Sequence, residues 1–234
     1  MTAESSLEVA QACSALLRPG QVFLDINSVS PQTKQHARDA VERSGADYLD
    51  VAVMAPVPPA RLNVPLLLGG KRADEFAARL GALGLNAKAV SDEVGVASAI
   101  KMCRSVMIKG LEALTLECLS TARRHGAEEA VLASLHGSFP HMGWNADLPD
   151  YLISRIAEHG ARRSAELQEV AKTVEEVGVE PRMCLASATV QRGLVEAMQA
   201  QAIAYESLKP FSWRELADAL TAPHIHKESR HDRR

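Results

Sequence analysis

The sequence predicts an α/β region followed by an all-helical one. Three observations carry this. Up to about residue 90, short apolar runs alternate with stretches of helical period, the signature of strands linked by helices. Beyond Ser91 the strand-like alternation vanishes and long helical periodicity takes over. At 234 residues with 47% hydrophobic content, the chain is long enough to bury one large core or two small ones.

Residues 5–17 form an amphipathic pattern closed by Pro19-Gly20, and Val22 to Ile26 reads as a short buried strand. Pro31 to Ser44 has helical period with Pro at its first position and Gly45 just past its end, where each residue is favoured. Tyr48 to Val53 and Val64 to Leu68 read as the second and third strands, 72–83 as a helix and 85–90 as a fourth strand. Helices are expected at 93–125, 127–135, 147–177 and 182–205, punctuated by Gly126, Gly137, Gly143 and Gly178-Val-Glu-Pro181. Pro210-Phe-Ser-Trp213 opens a last helix through Ala219, and the tail from Pro223 has too few apolar residues to pack, so disorder is expected there. The division expected is 1–90, 91–222 and a tail, 223–234.

Composition removes several classes of function. The 26 basic and 29 acidic side chains are interspersed and give a formal charge of -3, so no basic footprint for nucleic acid is present. Cys13, Cys103, Cys118 and Cys184 are widely spaced with no C-x-x-C pair, which points to free thiols in a reducing, cytoplasmic setting. No stretch approaches the roughly 20 apolar residues of a membrane span, and the N-terminus lacks the basic and apolar regions of a signal peptide.

Three groups of residues could carry chemistry. Asp25-Ile-Asn27-Ser28-Val-Ser30-Pro31 lies where a strand ends and a helix begins, the position at which open α/β sheets bind ligands; the same residues also make an ordinary capped helix. Lys101 lies among the apolar residues Val94, Val96, Ala97, Ile100, Met107 and Ile108, followed by Arg104 and Ser105. Lysine donates protons near neutral pH only if its pKa falls from about 10.4 toward 7 or 8, which desolvation or a nearby cation such as Arg104 supplies. A lysine lying along the rim of a core helix is the alternative. Arg155, His159 and Arg162, at helical spacing, could hold a carboxylate or phosphate, or belong to a solvated salt-bridge face with Glu158, Glu166 and Glu169. No metal site is expected, and the fourteen glycines contain neither G-x-G-x-x-G nor G-x-x-x-x-G-K-[ST].

Taken in order, Phe23 to Pro31, Tyr48-Leu-Asp50-Val-Ala-Val53, Leu67-Leu-Gly69-Gly70 and Gly95-x5-Lys101 resemble the β-hydroxyacid dehydrogenases. That family includes 3-hydroxyisobutyrate, tartronate semialdehyde and 6-phosphogluconate dehydrogenases. Lys109-Gly-Leu-Glu-Ala-Leu114, His159-Gly-Ala-Arg-Arg163 and Glu166-x-x-Glu169 extend the resemblance to a phosphogluconate dehydrogenase-like C-terminal domain.

The resemblance implies a partial Rossmann domain over 1–90 and an all-helical dehydrogenase domain over 91–222. It implies an oxidoreductase that uses NAD or NADP to act on a small hydroxyacid. Lys101 would be the general acid/base at the alcohol or carbonyl oxygen. Asn27 and Ser28 would contact the substrate carboxylate and the nicotinamide, Arg104 and Ser105 the substrate, and the helical domain would form a homodimer. The chain departs from the family pattern in three places. The opening strand and glycine motif are not in it, so N-terminal truncation is expected. The substrate loop reads Met54-Ala-Pro56-Val-Pro58-Pro59, whose prolines lack N–H donors. The asparagine expected one turn after the lysine is Arg104. A non-catalytic, helix-mediated assembly protein and a small-anion module built on Arg155, His159 and Arg162 are the competing readings.

Overall fold

The computed structural model of the chain describes residues 3–221; the tail from Pro223, for which disorder is expected, lies outside the described residues. The predicted order of α/β and then helical elements is the one observed. It runs α1 (Ala3–Ser14), β1 (Val22–Asp25), α2 (Pro31–Glu42), β2 (Asp47–Val53), a single turn α3 (Val57–Ala60), β3 (Leu66–Gly69), α4 (Ala73–Ala82), β4 (Ala87–Ser91), α5 (Val96–Arg124), α6 (Glu128–Ser138), α7 (Leu148–Glu175), α8 (Arg182–Ala200) and α9 (Trp213–Thr221).

Two segments differ from expectation. The proline-rich stretch after β2 folds into α3 and a 3₁₀ turn over Arg61–Asn63, too short to leave a periodic signal. Helix α8 stops at Ala200 rather than running to 205, because Ala202 adopts a positive φ of 54° and the chain re-enters a separate 3₁₀ turn at Tyr205–Leu208.

The four strands form one sheet in the order β1-β2-β3-β4. The pairs β1·β2 and β3·β4 are parallel and are joined by the crossover helices α2 and α4, whereas β2·β3 is antiparallel with Asp50 opposite Gly69. The five central residues of β2 are all buried, as expected of a strand covered on both faces. Alternation sends Tyr48 to the face covered by Ala10 of α1 and Ala37 and Val41 of α2. Leu49 and Val51 point to the other face, against Phe76, Ala77 and Leu80 of α4.

The chain divides into two compact units. The first comprises Met1–Gly110 and Ala165–Ala188, so the sheet is joined by the late segments around Leu167, Val170, Ala171 and Cys184, which pack on Met102. The second comprises Leu111–Ser164 and Thr189–Arg234 and is built round Leu119, Trp144, Ile153, Ile156, Trp213 and Leu216. Its interior also holds Arg163, whose guanidinium donates both to Glu112 Oε1 and, at 2.9 Å, to Glu112 Oε2, while Gln191 donates to the same carboxylate at 3.2 Å. An ion pair this buried needs such hydrogen bonds to offset its desolvation.

Candidate active site

In the first unit, the ends of β1 and β2 and the starts of α2 and α5 converge. Strand β1 ends on Asp25, and its carboxylate folds the next residues into a tight turn: Asp25 Oδ1 accepts from Asn27 N at 2.9 Å and from Asn27 Nδ2 at 2.7 Å. Ser30 then caps α2, its Oγ accepting from Thr33 N at 3.3 Å, with Pro31 as the first helical residue. The capped-helix reading of this segment is therefore correct as local structure, and Asn27 and Ser28 are held half-buried in front of it.

The second half of the site is the start of α5. Gly95 turns the chain into the helix at a φ of 106°, where a Cβ would lie 3.2 Å from that of Pro31, so the N-termini of α5 and α2 meet closely. The first amides of α5 are satisfied from the sheet: Asp50 Oδ2 accepts from Gly95 N at 3.2 Å and from Ser98 N at 2.9 Å, and Asp50 Oδ1 from Ser98 Oγ at 2.6 Å. A buried carboxylate is stabilised by the helix N-terminus it faces.

One turn after Ser98, Lys101 crosses to the β1 turn, and its Nζ donates to Ser28 Oγ at 2.5 Å. The two residues that the resemblance marks as catalytic and ligand-binding are thus in direct contact. Burial is the largest influence on Lys101 and drives its pKa down from 10.5 to about 8; Lys109 and Lys34 push the same way, and the carboxylates of Glu166 and Asp50 oppose them. The half-buried side chain is thereby brought into the range where an amine gives and takes protons at moderate pH.

Beneath this contact lies a buried charge cluster that sequence reasoning missed. Lys34 of α2 is fully buried; its Nζ donates to the backbone oxygen of Asp25 at 2.7 Å and lies 3.1 Å from Asp25 Oδ1 and 3.5 Å from Asp50 Oδ1. Tyr48 OH donates to Asp25 Oδ2 at 2.6 Å. Burial alone would raise the Asp25 carboxyl, but the Lys34 charge and the hydrogen bonds from Tyr48 and Asn27 outweigh it and hold Asp25 below its ordinary value. Burial and the Asp25 charge push the Tyr48 phenol far up, so it stays a hydrogen-bond donor. The available signal was positional: Lys34 shares a helical face with Ala37 and Val41, a lysine where an apolar residue is expected.

The other predicted residues fall as follows. Ser105 is half-buried one turn beyond Lys101, and Arg104 is exposed. The cations that depress Lys101 are Lys109 and Lys34. Lys109 is itself buried and lies 3.0 Å from Glu166 Oε2 of α7. In the second unit, Arg155 and His159 are half-buried and Arg162 is exposed. Burial and the charges of Arg155, Arg162 and Arg163 lower the His159 pKa against the pull of Glu158, whose Oε2 lies 3.3 Å away.

The turn does not fit the pyrophosphate of a dinucleotide. Of the amides at the start of α2, Ser30 N donates to Glu169 Oε2 at 3.3 Å, Gln32 N to Glu176 Oε2 at 3.2 Å and Thr33 N to Ser30 Oγ. Two carboxylates thus occupy the place where a phosphate would need free donors. Among the described residues no group of three or more His, Cys, Asp or Glu could hold a metal ion, and no described helix is long and apolar enough to cross a membrane.

Residues 122–194 match a family model described as a domain of unknown function, DUF1932. A conserved hypothetical protein from Sinorhizobium meliloti 1021 superimposes with a TM-score of 0.80 at 40% identity, over 94% of this chain and 72% of that one. MTH1747, a conserved protein described as structurally similar to 3-hydroxyacid dehydrogenases, does so with a TM-score of 0.69 at 30% identity, over 82% and 73%. Human mitochondrial 3-hydroxyisobutyrate dehydrogenase is 26% identical over 153 residues, which are 62% of this chain and 45% of that enzyme. The chain thus spans under half the length of that curated relative.

Proposed function

Because the chain belongs to the β-hydroxyacid dehydrogenase family, we propose that it acts in an NAD(P)-dependent oxidoreduction of a small hydroxyacid, with Lys101 as the proton donor and acceptor at the substrate oxygen. The observation that carries this is the contact between Lys101 Nζ and Ser28 Oγ, at a lysine whose pKa has fallen to about 8. When a hydroxyacid is oxidised, its alcohol proton must leave as its carbon loses hydride; a neutral Lys101 takes that proton, and the ammonium returns it in the reverse direction. Ser28 holds the amine beside the β1 turn. Asn27 presents the same turn to substrate, and Arg104 and Ser105 are the further substrate contacts in this reading. Family membership supports a hydroxyacid as the substrate class; the particular acid is left to assay. The cofactor phosphates fall to residues other than the α2 amides, which are already committed.

The test is turnover. Purified protein is given NAD or NADP with a panel of small hydroxyacids, and reduced nicotinamide is followed by fluorescence alongside calorimetric titration of each cofactor. Turnover that is lost in Lys101→Met with folding unchanged supports the proposal; no binding of either cofactor at millimolar concentration and no turnover refutes it. One rival is a non-catalytic helix-mediated assembly protein, in which the α2 amides serve only to tie the helix to Glu169 and Glu176. On that reading Lys101→Met leaves every measured property but stability unchanged. A homodimer through the helical segments belongs to the enzyme reading and is checked by sedimentation equilibrium.

A further inference from the structure

We infer that Lys34 is a positioning residue that sets the geometry of the Lys101–Ser28 pair by joining the two carboxylates on which each half of that pair is built. Asp25 shapes the turn that presents Ser28, through its bonds to Asn27 N and Nδ2. Asp50 fixes the first turn of α5, which presents Lys101, through its bonds to Gly95 N, Ser98 N and Ser98 Oγ. The parallel register sets Asp25 of β1 directly opposite Asp50 of β2, but leaves the orientation of their side chains open. Lys34 Nζ joins those side chains, lying 3.1 Å from Asp25 Oδ1 and 3.5 Å from Asp50 Oδ1 while donating to the Asp25 backbone oxygen.

The chemistry of the cluster excludes a casual arrangement. Two buried carboxylates this near one another repel, and one would take up a proton unless a cation lay with them. A buried ammonium without acceptors is equally costly. Lysine is the side chain that can reach both from α2, being a compact charge on a flexible stem, whereas the planar guanidinium of arginine would demand a wider space. Lys34 touches neither substrate nor reacting atoms; it acts through Asp25 and Asp50.

Its role presupposes Lys101 as the proton donor, but its test does not need turnover. The charges that bear on Lys101 are Lys109 on its own helix, Glu166 on α7, Lys34 on α2 and Asp50 on β2. The extent of acetylation of Lys101 by a limiting dose of acetic anhydride, read by mass spectrometry across a pH series, gives the midpoint of its titration. In Lys34→Met that midpoint is expected to rise by roughly half a unit or more, because a cation is lost and two carboxylates are left uncompensated. Hydrogen exchange at the amides of Asn27, Gly95 and Ser98 should quicken while that of the β2 core does not. Lys34→Arg, which keeps the charge but not the fit, should restore the midpoint in part and leave those three amides fast. If Lys34→Met does not fold, Lys34→Gln, which removes the charge but keeps a donor and both carboxylates, carries the same two readouts. An unchanged midpoint together with unchanged exchange at the three amides, in any folded variant lacking Lys34, overturns the inference. That result would leave the cofactor assays untouched, and failed turnover would leave this result untouched.

Discussion

Replacing Lys101 by methionine should make the protein more stable near neutral pH and less responsive to alkali. The fall of the Lys101 pKa from 10.5 to about 8 has burial as its main cause, and at 1.36 kcal/mol per tenfold change in proton affinity it is worth about 3 kcal/mol. Below pH 8 the side chain is protonated in both folded and unfolded chains, and the folded one bears the cost of a desolvated charge. Between about 8 and 10.5 the unfolded chain keeps its proton while the folded one releases it, so stability climbs with pH through this window and the gain is complete above it. Lysine at 101 thus contributes stability that is present above its unfolded pKa and lost as pH falls through its folded one. Methionine has no such dependence and fills similar space along an apolar helix. Urea denaturation of both proteins, followed by circular dichroism at constant ionic strength, should show the methionine variant ahead at neutral pH. The wild type should close the gap by up to about 3 kcal/mol between pH 8 and 10.5, an upper limit because Lys101 keeps some contact with solvent. Parallel stability curves, with a difference constant to roughly 0.5 kcal/mol over the window, would refute a depressed lysine and with it the proton-transfer role.

Other perturbations have equally definite outcomes. In Glu166→Gln the Lys101 titration midpoint should fall below its wild-type value, since Glu166 is the largest influence opposing burial there; a rise would contradict the assigned surroundings. Gly160→Ala should destabilise by about 2 kcal/mol or more despite the roughly 1 kcal/mol that alanine adds to helix propensity, because the new Cβ would lie 2.5 Å from the Gln191 backbone oxygen and 2.8 Å from Val195 Cγ2. Gly193→Ala, on the neighbouring helix with nothing within 4 Å, should instead stabilise by roughly 0.5 to 1 kcal/mol, and the pair is read by thermal denaturation. Arg163→Met should cost about 3 to 5 kcal/mol by leaving Glu112 buried without its cation, and adding Glu112→Leu should recover much of it; a single variant as stable as the wild type would show the pair to be dispensable.

The periodic features were legible in the sequence. All four strands and the long helices lie where alternation and 3.6-residue spacing put them, since burial of one face writes itself into the order of residues. Asn27, Ser28 and Lys101 were singled out for another reason: a motif order carries their resemblance, and the structure brings Lys101 and Ser28 into contact. Lys34 was not, because a buried lysine is indistinguishable from a solvated one until its partners on two other elements are placed around it. Arg104 suggested itself as the cation beside Lys101 because it is near in sequence, yet the cations that act are Lys109, two turns along the helix, and Lys34, 67 positions earlier. Likewise, helical period located residues 165–175 and 182–188 as helix but could not say that they pack in the unit containing the sheet.

The late segments of that first unit bear on how the protein is made. The amides of Ser30 and Gln32 find their carboxylate partners 139 and 144 residues downstream. At a synthesis rate of about 5 to 20 residues per second, roughly 7 to 30 seconds separate the emergence of the Asn27-Ser28 turn from that of Glu169. For that interval the nascent sheet carries α2 with its leading amides open to water and the apolar side chain of Met102 without Leu167 and Val170. The Asn27-Ser28 turn is therefore synthesised well before the carboxylates that tie down the helix behind it. Enclosure of Met102 waits on the arrival of residues 165–188.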